Sequence, residues 1–164
     1  AAQNGHAEVE SSKLALTKAQ NPEVKSFAQK MVEDHTKTGN ELAALATSKG
    51  VEVPKEPSLM QKAKMKLLST ADGENFDRRY AKSMGVEAHE ETLELFRKAA
   101  SEAKDADVKA FASKTVPALE EHMKMARQLE MAVDPGASAS GTGSGNTNAS
   151  GTAGGAGMGG SGQK

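Results

Sequence analysis

Apolar residues spaced three and four positions apart run down two long stretches of this chain, a period that amphipathic helices satisfy and strands do not. One stripe comprises Val24, Phe27, Ala28, Met31, Thr38, Leu42, Leu45 and Ala46. The other comprises Val108, Phe111, Ala112, Thr115, Leu119, Ala126 and Leu129. Both are expected to face a core.

Helix ends are marked as clearly as helix faces. Asn21-Pro22-Glu23 places an N-cap residue before a proline at the first helical position, with an acidic first turn. The preceding segment, Ala1 to Ala19, then reads as one helix joined by a tight turn to a second that stops at Gly50. Pro54 and Pro57 lie in the connection that follows. Ser58-Leu59-Met60-Gln61 reads as a capping box opening a short helix to about Thr70, which Asp72-Gly73 breaks. A long helix should run from about Glu74 to Ala103. Asp105 or Asp107 can cap the last one, ending at about Val133 before Asp134-Pro135-Gly136.

The order of these elements predicts the architecture. Two tight helical hairpins are joined by roughly 24 residues, long enough to travel the length of a bundle. That is the ferritin-like arrangement, an all-α four-helix bundle with one long crossover that carries a short extra helix. The chain also repeats itself: Val24-Lys25-Ser26-Phe27-Ala28-Gln29-Lys30-Met31-Val32 matches Val108-Lys109-Ala110-Phe111-Ala112-Ser113-Lys114-Thr115-Val116. Each copy begins the second helix of a hairpin and precedes a histidine. Duplication of a hairpin explains this, as does the general likeness of amphipathic helices. Residues 1–133 are therefore read as the bundle. Residues 134–164, rich in Gly, Ser, Thr, Ala and Asn, are read as a disordered tail. Pro117, inside the last helix, cannot donate to the Ser113 carbonyl and predicts a kink or local widening one turn before His122.

Composition narrows the function classes. The 21 basic and 22 acidic residues balance to a net charge of −1, which argues against nucleic acid and an anionic membrane surface as partners. With no cysteine, disulfides and thiolate chemistry are excluded. No apolar run approaches the roughly 20 residues of a transmembrane helix. The chain opens Ala1-Ala2-Gln3 rather than with Met, as expected after removal of an export signal, or of a trimmed chain. No phosphate loop or nucleophile elbow is present.

The chemistry that remains lies in four histidines, one per long helix: His6, His35, His89 and His122. His35 follows Met31 by one turn on its stripe, and His122 follows Leu119. His89 shares a face with Val86, Leu93, Phe96 and Ala100. These three should point inward, whereas His6 falls at a helix edge beside Lys13. The first helix turns inward a face of Ala1, Gly5, Ser12, Ala15, Leu16 and Ala19, and Glu8 lies on it. A carboxylate there is costly unless it is paired or bound to a metal.

Glu8 and His35 lie about 13 residues from the first turn, roughly 20 Å along the helices; His89 and His122 lie about 15 and 17 from the second, roughly 23–26 Å. Glu8, His35, His89 and His122 are thus expected to converge as a metal site. Such a donor set suits zinc, iron, copper or nickel. Asp34, Glu90 and Met31 are expected to support it. The competing expectation is a metal-free polar cluster in which Glu8 pairs with one histidine. The di-iron pattern needs Glu three residues before His. Val32, Val86 and Leu119 occupy those positions, so a ferroxidase centre is not expected. Met31, Met84, Met123 and Met125 near the histidines would favour Cu(I) as ligands, but methionine in a helical core is commonly packing.

The chain resembles the bacterial ferritin-like family catalogued as domain of unknown function 4142. The resemblance is carried by Ala7-Glu8-Val9-Glu10, Asn21-Pro22-Glu23-Val24-Lys25-x-Phe27-Ala28, Met31-Val32-Glu33-Asp34-His35, Phe76-Asp77-x-x-Tyr80, His89-Glu90 and Val116-Pro117-x-Leu119-x-x-His122. It implies a ferritin-like fold, export to the periplasm or cell envelope, and the grouping of Glu8, Asp34, His35, His89, Glu90 and His122. It implies no activity, and His6 lies outside it. The leading expectation is an exported protein that stores, buffers or senses a transition metal. The alternatives are a metal-free interaction or stress-protective protein of the envelope and a metal-dependent oxidoreductase.

Overall fold

The computed structural model describes residues 1–134; the expected tail, apart from Asp134, lies outside them. Among the described residues every regular element is helical. They are α1 (Ala2–Lys18), α2 (Pro22–Ser48), α3 (Leu59–Ser69), α4 (Gly73–Tyr80), a π-helical segment (Ala81–Glu87), α5 (Ala88–Glu102) and α6 (Ala106–Val133). None is long and apolar enough to cross a membrane.

The ends form where local chemistry dictates. Asn21 Oδ1 accepts from the Glu23 N–H, with Pro22 at the first position of α2. Ser58 and Gln61 close a reciprocal capping box on α3, and Asp105 Oδ1 accepts from the N–H groups of Asp107 and Val108. Gly50, at φ 69°, takes the left-handed conformation that turns the chain out of α2. Asp77, on α4, reaches across to accept from the N–H groups of Gln20 and Asn21, at 3.2 and 2.9 Å, and so ties the α1–α2 turn to the second half of the chain.

α1 lies antiparallel along α2, and α5 along α6, which also packs against α2 and the π segment. Ion pairs give the directions. His122–Asp34, Lys114–Glu41 and Lys49–Asp107 step down α2 as they step up α6, so these two run antiparallel. Asn4–Thr92 and Lys18–Asp72 do the same for α1 against the α4–α5 helix.

Two apolar clusters result. The larger joins Ala15, Val24, Phe27, Met31, Phe76, Tyr80, Met84 and Leu129 at the end bearing the α1–α2 turn. The smaller contains Leu93, Phe96, Ala112 and Leu119, toward the other end. Thr38, Leu42, Leu45 and Ala46, expected in the core, are only partly buried, as are Val108 and Phe111. The 17 residues of α1 cannot cover the 27 of α2; about ten residues, roughly 15 Å, extend past its start.

Two further expectations are corrected. The local widening expected at Pro117 is absent, since α6 keeps the α-helical pattern through it. The widened turn occurs instead between α4 and α5, where the Ala88 N–H bonds back to the Ser83 carbonyl. The extra residue of a π turn rotates the face that follows, so Met84 and Gly85 are buried and Val86 only partly so. On α1 the buried face is Ala7, Glu8, Ser11, Ser12 and Ala15, while Ala1 is exposed.

Candidate metal centre

Between the two clusters lies a polar layer. His35, His89 and His122 each offer a ring nitrogen, and these three atoms lie within 4.8 Å of one another. The rings are 6%, 0% and 3% exposed, which removes water as the usual partner for those nitrogens.

Two of the three tautomers follow from their neighbours. His89 Nδ1 faces the carbonyl oxygens of Met84 and Gly85, at 3.1 and 2.8 Å. Carbonyls only accept, so Nδ1 carries the proton and Nε2 keeps its lone pair. The π segment supplies this contact, because a widened turn frees carbonyls that an α-turn would bind. His122 Nε2 donates to Asp34 Oδ2 at 2.7 Å, leaving Nδ1 buried without any partner. His35 Nε2 stands 3.2 Å from His89 Nε2. It donates to that lone pair in the absence of an ion and presents its own after a tautomer change.

Electrostatics keeps these rings neutral, the form that binds metal. Burial, reinforced by His89 and His122, lowers the pKa of His35 to about 3. Burial and then His122 lower that of His89 to about 4. His122 is also pushed down by burial, against the pull of Asp34. Asp34 resists its own partial burial, and hydrogen bonds from His122 and Lys30 hold it below the usual carboxylate range. A neutral His122 donating to an ionised Asp34 accounts for both shifts.

Glu8 does not join the three rings. It is buried on the far side of His89, with Oε1 3.6 Å from Nδ1, and neither carboxyl oxygen has a hydrogen-bond partner. The expected pairing with a histidine is therefore not made. Burial first, and then the Glu91 charge, push its pKa well up. Nearby, Ser12 and the Tyr80 hydroxyl are hydrogen-bonded to each other at 2.7 Å and so do not serve Glu8.

The supporting residues divide. Asp34 orients His122. Glu90 is exposed and pairs with Arg127 at 3.2 Å, away from the rings. Met31 is fully buried in the larger cluster, one turn before His35. His6 stays apart, its Nε2 3.1 Å from the Pro54 carbonyl. The Met84 and Gly85 carbonyls were not foreseen. Backbone acceptors carry no side-chain signature, and the one hint was a glycine inside a helix four residues before a histidine.

The fold and site define an all-helical domain with three buried histidines that could hold a metal ion. The chain belongs to the family described as Domain of unknown function (DUF4142), whose model matches residues 1–129. No curated protein and no solved structure matches it.

Proposed function

We propose that this protein is an exported, ferritin-like four-helix bundle that holds a transition-metal ion on His35, His89 and His122, for storage, buffering or sensing in the periplasm or cell envelope. One observation carries the reading. Two of the rings have their outer N–H groups fixed by acceptors, Met84 and Gly85 carbonyls for His89 and Asp34 for His122. Such outer contacts set the tautomer and ring direction of metal-binding histidines. One nitrogen of each ring lies within 4.8 Å of the other two, and His122 keeps a buried, unpartnered Nδ1. An ion satisfies that atom. All-nitrogen donors suit zinc, iron, copper or nickel.

A metal-free polar cluster is supported by the 3.2 Å contact between His35 and His89, which is a sound hydrogen bond without any ion. Elemental analysis of protein purified without a metal-affinity step separates the two readings. Stoichiometric metal, lost in His122→Ala, is the expected result. In excess metal, at about 100 times the dissociation constant, the parent should gain roughly 2.7 kcal/mol of stability. Metal-free protein that gains no stability from any of the four ions, or gains as much in His35→Ala/His122→Ala, overturns the proposal.

A further inference from the structure

We infer that an ion on His35, His89 and His122 keeps an exchangeable coordination position on the side facing the hollow end of the molecule, taken by water or a small anion that enters through the cavity there. This rests on the metal reading above and adds to it what else the ion binds.

The donor count is the first argument. Among the described residues only three side chains converge. Asp34 is occupied by the outer nitrogen of His122, and Glu8 stands behind His89. Zinc and its neighbours take at least four ligands, and sites with three protein donors complete the set from solvent or substrate.

The second argument is where empty space lies. A cavity of about 570 Å³ has His35 among its lining residues. Its other walls include Gly39, one turn beyond His35, Thr92, one turn beyond His89, and Leu119, one turn before His122. α2 and α5 run together and α6 runs against them, so all three steps lead the same way from the histidines. The cavity therefore adjoins the layer on one side. On the opposite side Phe27 and fully buried Met31 pack against it, while a second cavity of about 570 Å³, lined by Glu8, Met84 and Thr92, runs along the α1 flank.

Charge gives the ligand class. Three neutral imidazoles leave a divalent ion's charge uncompensated, and Asp34 offsets one unit through His122. In a buried setting the remaining positive charge favours an anion.

The test uses the whole chain loaded with Co(II), with azide as the probe anion. Cobalt uptake is read by equilibrium dialysis and by its visible bands. Azide should change those bands saturably, with one azide per cobalt. Gly39→Phe should weaken azide binding at least tenfold while cobalt affinity holds within about threefold, since a Cβ on Gly39 meets nothing within 4 Å and the ring can fill the cavity. Gly39→Leu is a smaller plug should the phenylalanine variant fail to fold. Cobalt bands indifferent to azide, or azide binding equal in parent and plugged protein, overturn the inference while leaving the metal site standing. Failure to take up cobalt or any of the four metals overturns both.

Discussion

The segment Val-Lys-x-Phe-Ala occurs twice, and its two copies have different fates. Phe27 is buried against Tyr80 and His89, ring centroids 6.2 and 6.1 Å away. Phe111, its counterpart, is only partly buried and meets Phe96 at 6.0 Å. Because α2 and α6 run antiparallel, equivalent positions lie at opposite ends of the molecule. One end receives the start of α2, the whole of α4 and the C-terminal half of α6, and it holds the larger apolar cluster, with a cavity only along its α1–α3 flank. The other receives the overhanging end of α2 beyond the start of α1, and it stays hollow. The same amphipathic helix therefore makes core or cavity wall according to what the chain places opposite it. The histidines sit where the two conditions meet, held on one side by close packing and open on the other.

The largest effect that tests this contrast is a pair of truncations. Phe76 is fully buried and stacked on Tyr80, with planes 8° apart. Phe76→Ala should cost about 3–5 kcal/mol, the usual range for a well-packed ring. Phe96 borders the cavity, so fewer contacts are lost with it. Phe96→Ala should cost roughly half as much. Urea denaturation of both variants in metal-free buffer measures the difference. Equal costs would mean that the hollow end is as well packed as the filled one.

This contrast also marks what could be read from the sequence. Helix ends at Asn21, Ser58 and Asp105 were legible because a cap is a local bargain between one side chain and nearby N–H groups. The inward direction of His35, His89 and His122 was legible from the helical period. Whether a stripe is covered was not: Leu42 and Leu45 carry the same spacing as Val24 and Phe27, and their exposure depends on where α1 begins. The π segment was hidden for a similar reason. One extra residue in a turn leaves the composition unchanged, yet it buries Gly85 in place of Val86 and supplies the carbonyls that fix His89. The position of Glu8 was half legible. Its burial follows from the α1 stripe, but which side of His89 it takes depends on how the helices are rotated.

A second, smaller effect lies in the pH dependence of the layer between the two ends. In metal-free protein His35 and His89 stay neutral down to about pH 3 and 4, whereas unfolded histidine takes up a proton near 6.5. Below pH 6.5 the unfolded chain binds more protons at these sites, so stability is complete above that pH and is lost as pH falls toward the folded values. Each ring contributes about 1.4 kcal/mol per pH unit in that window. Glu8 acts oppositely. Its raised pKa means that the folded protein holds this proton to higher pH than the unfolded chain, which loses it near 4.5, so its effect destabilises as pH rises. His35, His89 and His122, all held below the usual histidine value, outweigh the one opposing carboxyl, so stability should fall on acidification from pH 6.5 to 4.5. Denaturant melts across that range, with a chelator present, should show this slope. A flat profile would mean that water reaches the rings and that the filled end does not seal them.

The smallest effect isolates Glu8, which borders both conditions without a partner in either. Its carboxyl must be protonated, or buried as a charge, whenever the protein folds above pH 4.5, and neither oxygen recovers a hydrogen bond. Glu8→Gln keeps the shape and removes the ionisation. At pH 7 the variant should be more stable than the parent, because folding no longer has to protonate or bury an ionisable carboxyl there. Below about pH 4.5 the two should converge, because the parent carboxyl is then neutral in both states. With the opposing contribution gone, the acid-side slope should steepen toward that of the histidines alone. Stability curves of the two proteins against pH, taken in chelator, test all three statements together. A variant less stable than the parent at pH 7 would show that the Glu8 carboxylate has a partner.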